Sequence, residues 1–381
     1  LFGRGLGAGA VRWAALLAAI ACFAITIPVY TGFDNSSAAM QFVENLPWVT
    51  RFNINYHVGV DGISLWFVLL TAFITIIAIL SAWEAITDRF HLYAAAFLIL
   101  SGIMIGVFVA LDAVLFYIFF EATLIPMYLI IGIWGGQNRI YAAFKFFLYT
   151  LAGSFLMLLA ILFLFFKSGY SFSILDWQQL AIPLDVQKIL FFAFLAAFAV
   201  KIPMWPVHTW LPDAHVEAPT GGSMVLAAIT LKIGAYGFLR FCLPIAPDAS
   251  MALSGFMVFL SLVAVVYIGL VALVQSDMKK LVAYSSISHM GFVTLGLFMF
   301  ANGQLTTEGV EGALVQMVSH GFVSAAMFGC IGIMYDRMHS RQIADYGGVV
   351  NTMPKFAAFM LLFAMANSGL PATSGFVGEF L

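Results

Sequence analysis

The sequence has 381 residues and a mass of 41.6 kDa; 63% of the residues are hydrophobic, 9% are charged, and the mean hydropathy is +1.03. Soluble domains are about half apolar and about a quarter charged, so this chain lacks the polar surface that a soluble globule needs. A net charge of −2 leaves no cationic face for nucleic acid, which is excluded as a partner. The composition therefore predicts a polytopic membrane protein whose surroundings are the lipid bilayer.

Hydrophobic segments long enough to cross a membrane follow one another along the chain. A helix needs about 20 apolar residues to span the hydrocarbon core, and open strands are excluded there because their backbone groups would stay unpaired. Eleven segments are predicted, at residues 10–30, 59–82, 92–110, 113–133, 141–166, 188–202, 218–243, 251–274, 281–300, 312–335 and 354–381. The predicted fold class is an all-α polytopic membrane protein, with residues 1–381 forming a single membrane domain.

The basic residues that flank these segments are distributed unequally between the two sides of the membrane. Nine lie on one side: Arg4, Arg12, Arg89, Arg139, Lys279, Lys280, Arg337, Arg341 and Lys355. Four lie on the other: Arg51, Lys167, Lys188 and Arg240. Because cytoplasmic loops carry the excess of Lys and Arg, the first set marks the inner side, which is the cytoplasm of a bacterium or the matrix of an organelle. The opposite side is the outer side.

Among the charged residues within or beside the hydrophobic segments, four stand out: Glu121, Lys201, Lys232 and Glu379. A charge near the bilayer centre costs at least about 2.5–3.5 kcal/mol on insertion scales, so each one needs a reason. Structural ion pairs between helices are the simpler alternative, but they explain one such charge more easily than four on separate helices. These residues are therefore predicted to have a function.

Two histidines, His289 and His320, also lie in apolar segments. A single membrane histidine can be a satisfied interhelical hydrogen bond, but imidazole can also pass a proton through its two nitrogens. Burial disfavours the charged form of a lysine, while a nearby carboxylate favours it, so moving the carboxylate can turn the lysine from proton acceptor into proton donor. Carboxylate, lysine and histidine groups within one bundle therefore predict a proton path.

The sequence predicts no metal or cofactor bound by this chain. The three cysteines, Cys22, Cys242 and Cys330, are far apart, whereas zinc and iron–sulfur sites need about four clustered ligands. His208 and His215 lie on opposite sides of a proline, and no Cys or acidic cluster completes a coordination sphere.

Two of the predicted spans contain helix-breaking residues, near 201–217 and near 366–381. Irregular backbone at membrane depth persists only where it is buried or lines a wet cavity, and broken helices in corresponding halves are typical of transporter sites. The two broken spans are the sixth and the eleventh in order, an odd number of positions apart, which places the halves in opposite orientations. We therefore predict two inverted repeats, over residues 92–243 and 251–381, the second of them truncated.

Three motifs carry a resemblance to a known family. They are FEATLIPM at 120–127, KIPMWPVHTWLPDAHVEAPT at 201–220 and LKIGAYGFLR at 231–240. Together they resemble the chain M family (chain 4 in mitochondria) of the proton-pumping NADH:quinone oxidoreductase, respiratory complex I, over nearly the whole chain. Sodium/proton antiporter subunits and the sister chains L and N share the WLPDA core but usually depart from the AHVEAPT continuation.

The resemblance implies an antiporter-like fold of about fourteen transmembrane helices with two inverted repeats and discontinuous seventh and twelfth helices. By that count this sequence lacks the first helix and the last two. The resemblance also implies a proton relay made of Glu121, Lys201, Lys232, His289 and Glu379, with His208 and His320 as possible further members.

The function implied is proton translocation by a membrane-arm subunit that couples quinone reduction to proton transfer across the membrane. The chain would belong to an enzyme, NADH:quinone oxidoreductase, with NADH, FMN, iron–sulfur clusters and quinone bound by other subunits. Its partners would be other membrane-arm subunits, including the sister chains L and N, in the bacterial inner (plasma) membrane or alternatively the mitochondrial inner membrane. The alternatives are an Mrp-type cation/proton antiporter subunit and a scaffold subunit without its own proton channel.

Overall fold

The computed structural model describes residues 7–381, which are mostly helical. Within this range, eight helices are long and apolar enough to cross a membrane. A helix also occupies each of the eleven segments predicted from the sequence, the last of them as two shorter helices. The prediction of an all-α polytopic membrane protein is therefore confirmed. Arg4, one of the residues used to assign the inner side, lies outside the described residues.

The first part of the chain forms a series of long antiparallel spans. Its helices are α1 (Ala8–Thr31), α2 (Gly62–Ser81), α3 (Phe90–Val109), α4 (Ala113–Ala122), α5 (Leu124–Trp134) and α6 (Arg139–Lys167). The α4 and α5 helices form one span that is interrupted only at Thr123. Asp61 and Asp112 precede α2 and α4, and each carboxylate accepts two backbone N–H groups of the first helical turn. These caps satisfy donors that a helix start leaves unpaired.

The second part contains shorter and more irregular helices. They are α7 (Ile174–Trp177), α8 (Leu184–Lys201), α9 (Trp210–Glu217), α10 (Thr220–Ile245), α11 (Pro247–Ala252), α12 (Ser254–Leu273), α13 (Met278–Leu297), α14 (Thr307–Met338), α15 (Val349–Thr352), α16 (Pro354–Asn367) and α17 (Ser374–Phe380). Helical structure stops at Lys201 and resumes at Trp210, and it stops again at Asn367 and resumes at Ser374.

Two β-hairpins occur in the connections of the described residues 7–381, and the hydrophobic pattern predicts neither of them. Their strands are β1 (Gln41–Val49), β2 (Ile54–Val60), β3 (Phe300–Ala301) and β4 (Gln304–Leu305), each pair antiparallel. In the first hairpin Leu46 lies opposite Tyr56, and the N–H of Leu111 donates to the carbonyl of His57 at 2.9 Å. Most of β1 is exposed, and its sequence QFVENLPWV lacks the alternation of apolar and polar residues that would mark a half-buried strand.

The α10 helix lies at the centre of the bundle, where it packs against α2, α8 and α14. It is the most deeply buried of the eight candidate spans. Two π-helical turns, Leu226–Thr230 and Phe238–Cys242, interrupt its α-helical pattern. Such turns displace backbone carbonyls from the regular hydrogen-bond series and are frequent at functional sites.

Close contact between α8 and α10 depends on a glycine. A methyl group on Gly237 would overlap the ring of Phe198 in α8. We expect Gly237→Ala to destabilise the protein by about 1–3 kcal/mol, the usual range for an overpacked core, and to shorten its half-life during thermal inactivation in detergent. Gly255→Ala in α12 is the matched control, because nothing lies within 4 Å of the added methyl group. Equal half-lives of the two variants would contradict this account of the contact.

Candidate functional site

Lys201, the last residue of α8, is fully buried next to the interruption between α4 and α5. Its Nζ donates to the hydroxyl of Thr123 at 3.0 Å, and this hydroxyl donates to the carbonyl of Phe120 at 2.7 Å. The ammonium group also lies 4.7 Å from the ring centroid of Phe120. Thr123 therefore belongs to the site, although it was not among the predicted residues. Its position two residues after Glu121 in the same motif was the signal available for finding it.

Glu121 lies on α4, on the same span as Thr123. No ion pair joins Glu121 to Lys201. Within residues 7–381, no N–O distance of 4.0 Å or less links these two side chains. Its Oε1 atom is buried and has no hydrogen-bond partner. The structure thus shows the arrangement in which Lys201 is bound to the threonine hydroxyl and the carboxylate stands apart.

Lys232, near the middle of α10, is fully buried between two acceptors. Its Nζ lies 2.6 Å from the carbonyl oxygen of Ala227, in the first π-helical turn, and 2.6 Å from Nδ1 of His320 on α14. An ammonium group has only donors, so a charged Lys232 requires that Nδ1 accept and that a neutral His320 carry its proton on Nε2. Lys232 and His320, which are 88 positions apart in the sequence, are therefore direct partners.

The polar contacts continue from His320 toward α17. The ring centroids of His320 and His289 are 5.4 Å apart. Nδ1 of His289, on α13, lies 2.7 Å from Oε1 of Glu379, and the amide nitrogen of Gln316 donates to the same oxygen at 2.9 Å. Gln316 is a second member of the site that the predicted set did not include.

A small cavity lies among these side chains. Its volume is about 10 Å³, and its lining includes His289, His320, Gln316 and Glu379. A space of at least about 10–15 Å³ holds one water molecule if polar partners are present. Nε2 of His320 and Oε1 of Gln316 are both buried without a partner in the protein. One water molecule in this cavity could therefore connect the two histidines.

The predicted residues fall into two groups. Lys232, His320, His289 and Glu379 form one line of contacts, while Glu121 and Lys201 belong to a second group where the α4–α5 span meets the end of α8. Ile202, the residue after α8, packs directly on Gly234 of α10, two positions from Lys232.

His208, in the segment between α8 and α9, is not part of either line. Its side chain is 9% exposed, and Nδ1 is buried without a hydrogen-bond partner. The neighbouring α9 helix carries Asp213, whose carboxylate forms a 2.6 Å ion pair with Lys145 of α6. His215, also on α9, is fully buried and stacks on Phe328 with ring centroids 4.4 Å apart. In residues 7–381 no group of three or more His, Cys, Asp or Glu side chains could hold a metal ion.

The bundle, its interrupted helices and its buried charges define the class as a polytopic membrane protein of antiporter-like architecture. Residues 110–381 match the family model described as NADH:quinone oxidoreductase/Mrp antiporter, transmembrane region. The chain is 55% identical to NADH-quinone oxidoreductase subunit M of Rhodobacter capsulatus, over 99% of this chain and 75% of that relative. It belongs to the NADH:quinone oxidoreductase/Mrp antiporter family, and the resemblance predicted from the three motifs is confirmed.

Two solved structures share the fold. In respiratory complex I from Thermus thermophilus with bound NADH, one chain matches with a TM-score of 0.89 and 32% identity, over 97% of this chain and 76% of that one. In the Mrp complex from Dietzia sp. DQ12-45-1b, a chain matches with a TM-score of 0.84 and 21% identity, over 96% of this chain and 40% of that one. At this lower identity the Mrp likeness concerns the fold alone.

Proposed function

We propose that this chain is a proton-translocating membrane-arm subunit of NADH:quinone oxidoreductase, in which quinone reduction on other subunits drives protons through the buried charged residues. The observation that carries the proposal is the line of contacts from Lys232 through His320 and His289 to Glu379, which joins titratable groups of four helices. A charged line of this kind is costly in a membrane unless it serves an ion path.

The first step would involve Glu121 and Lys201. Approach of the carboxylate favours the charged lysine, and its withdrawal favours release of the lysine's proton. The Thr123 hydroxyl, which can accept and donate at once, holds the ammonium group while the carboxylate stands apart. The change is a shift between populations of pairing and hydration states. The proton released by Lys201 would then pass to Lys232 on α10.

The second step would move the proton from Lys232 to Glu379. Nζ of Lys232 gives a proton to Nδ1 of His320, and Nε2 of His320 releases one to the water in the small cavity. This water protonates Nε2 of His289, and Nδ1 of His289 passes a proton to Oε1 of Glu379. Each histidine gains one proton and loses one. After Glu379 releases its proton to the outer side, Lys232 takes up a new proton from the first pair and the two histidines return to their starting tautomers before the next cycle.

Redox chemistry would take place elsewhere in the complex, with NADH, FMN, iron–sulfur clusters and quinone on other subunits. We place the partners of this chain among the other membrane-arm subunits, including the sister chains L and N. We place the complex in a bacterial inner membrane, which agrees with its similarity to the Rhodobacter capsulatus relative; a mitochondrial inner membrane is the alternative. We also propose that residues 92–243 and 251–381 are inverted repeats, since each contains one interrupted helix with a site residue beside the interruption.

The proposal is tested by Glu121→Gln and Lys201→Ala in membrane vesicles that contain the whole complex. Both variants are expected to lose most NADH-driven, quinone-dependent proton pumping, because each removes one half of the first coupled pair. NADH oxidation and pumping are recorded together, and the amount of assembled complex is measured in the same vesicles. Glu44→Gln, at an exposed position of β1, is the matched control. Full pumping by assembled complexes of both variants would refute the assignment.

A further inference from the structure

One face of α10 leads directly from the relay to the outer side. Lys232, Tyr236 and Arg240 recur every four residues, a spacing that places side chains on the same helix face. At 1.5 Å per residue, Arg240 lies about 12 Å from Lys232 along the helix axis. Protons that moved along this face would reach the outer side without passing His289 or Glu379.

Aromatic side chains pack on this face between Lys232 and Arg240. The hydroxyl of Tyr236 donates to the carbonyl of Phe108 at 2.7 Å and lies 3.0 Å from the hydroxyl of Ser64. The rings of Phe67 and Phe108 contact the ring of Tyr236 edge to face, at centroid distances of 6.2 and 5.2 Å. All three rings are fully buried. The tyrosine hydroxyl is thus the group with an exchangeable proton on this face between Lys232 and Arg240, and it donates to the carbonyl of Phe108.

Arg240 covers the outer end of this packing. Its guanidinium lies 5.0 Å from the ring centroid of Tyr236, forms an ion pair with Asp61, and donates to the hydroxyl of Ser64 at 3.1 Å. Its side chain is only 11% exposed. Asp61 also accepts the N–H groups of Ile63 and Ser64 at the start of α2, so the start of this helix holds the guanidinium in place.

We propose that Arg240 is the plug that closes the direct route between Lys232 and the outer side, so that protons leave through His289 and Glu379 instead. The inference rests on the proposed function of the relay. Arginine keeps its proton in proteins and so cannot accept one and hand it on. A fixed arginine charge is also a known barrier to protons and cations in membrane pores. A histidine or lysine at the same position could exchange protons with the outer side.

The test uses Arg240→His in membrane vesicles that contain the whole complex. A pH gradient is imposed without NADH and its decay is followed, and the protons pumped per NADH are measured separately. Decay several-fold faster than in wild type is expected, with fewer protons per NADH and no loss of NADH oxidation. Arg51→His, at an exposed arginine on the same side, is the matched control and should behave like wild type. Wild-type decay in assembled Arg240→His would overturn the proposal.

Two further variants complete the test. Arg240→Lys keeps the positive charge and the ion pair with Asp61, so it remains informative if the histidine variant does not assemble; it should still leak faster than wild type. In Arg240→His combined with Lys232→Met the leak should disappear, and a leak that persists would show a route outside the relay and overturn the proposal. Because passive decay needs no NADH, its outcome is independent of the pumping test of Glu121→Gln and Lys201→Ala.

Discussion

Lys232→Met is expected to abolish most NADH-driven proton pumping while the complex stays assembled. Methionine has a similar length but no exchangeable proton, so the only group that links the carbonyl of Ala227 to Nδ1 of His320 is lost. Two buried acceptors then lack a donor, at a cost of about 1–3 kcal/mol each. Removing a buried charge, which is itself expensive to bury, offsets part of this cost. The measurement is the initial rate of pumping in vesicles, normalised to the amount of complex.

Lys167→Met is the matched control for this variant. Lys167 ends α6, is exposed, and belongs to the outer set of basic residues. It should pump like wild type, which separates loss of the relay from loss of any lysine in the membrane domain. If assembled Lys232→Met pumped at the wild-type rate, the line of contacts through His320 would have no part in translocation.

Glu379→Gln is expected to have the second largest effect, a loss of most pumping at the outer end of the relay. Glutamine keeps the size of the side chain and one carbonyl oxygen for His289 and Gln316, so the packing of α17 against α14 should survive. An amide cannot take up and release a proton as a carboxyl group does. The pumping rate is measured against the NADH oxidation rate in the same vesicles.

Two companion variants separate proton transfer from packing at this position. Glu379→Asp keeps a titratable carboxyl group on a shorter side chain and should restore part of the pumping lost in Glu379→Gln. Glu311→Gln changes an exposed glutamate near the start of α14 and should leave pumping unchanged. Equal activity of the Gln and Asp variants would argue against a proton-carrying role for Glu379.

Much of the site could be predicted from single residues, but their partners could not. Lys201 and Lys232 stand out because a charge within an apolar segment is rare and costly. The contact between Lys232 and His320 joins two distant helices, and no local spacing encodes it. The hydroxyl of Thr123 and the amide of Gln316 carry no charge. Neither residue therefore stands out in the sequence as a costly group within the membrane.

The amino-acid sequence was sufficient to specify the membrane class, the positions of the helices and the charges that need an explanation. The reason is local: a span requires about 20 apolar residues in succession, and each charge within it carries its own desolvation cost. The pairing of Lys201 with Thr123, the separation of Glu121, and the closure of one face of α10 by Arg240 came from the three-dimensional packing. Side chains meet according to the rotation and crossing of whole helices, and one residue of difference turns a side chain by about 100° around the helix axis.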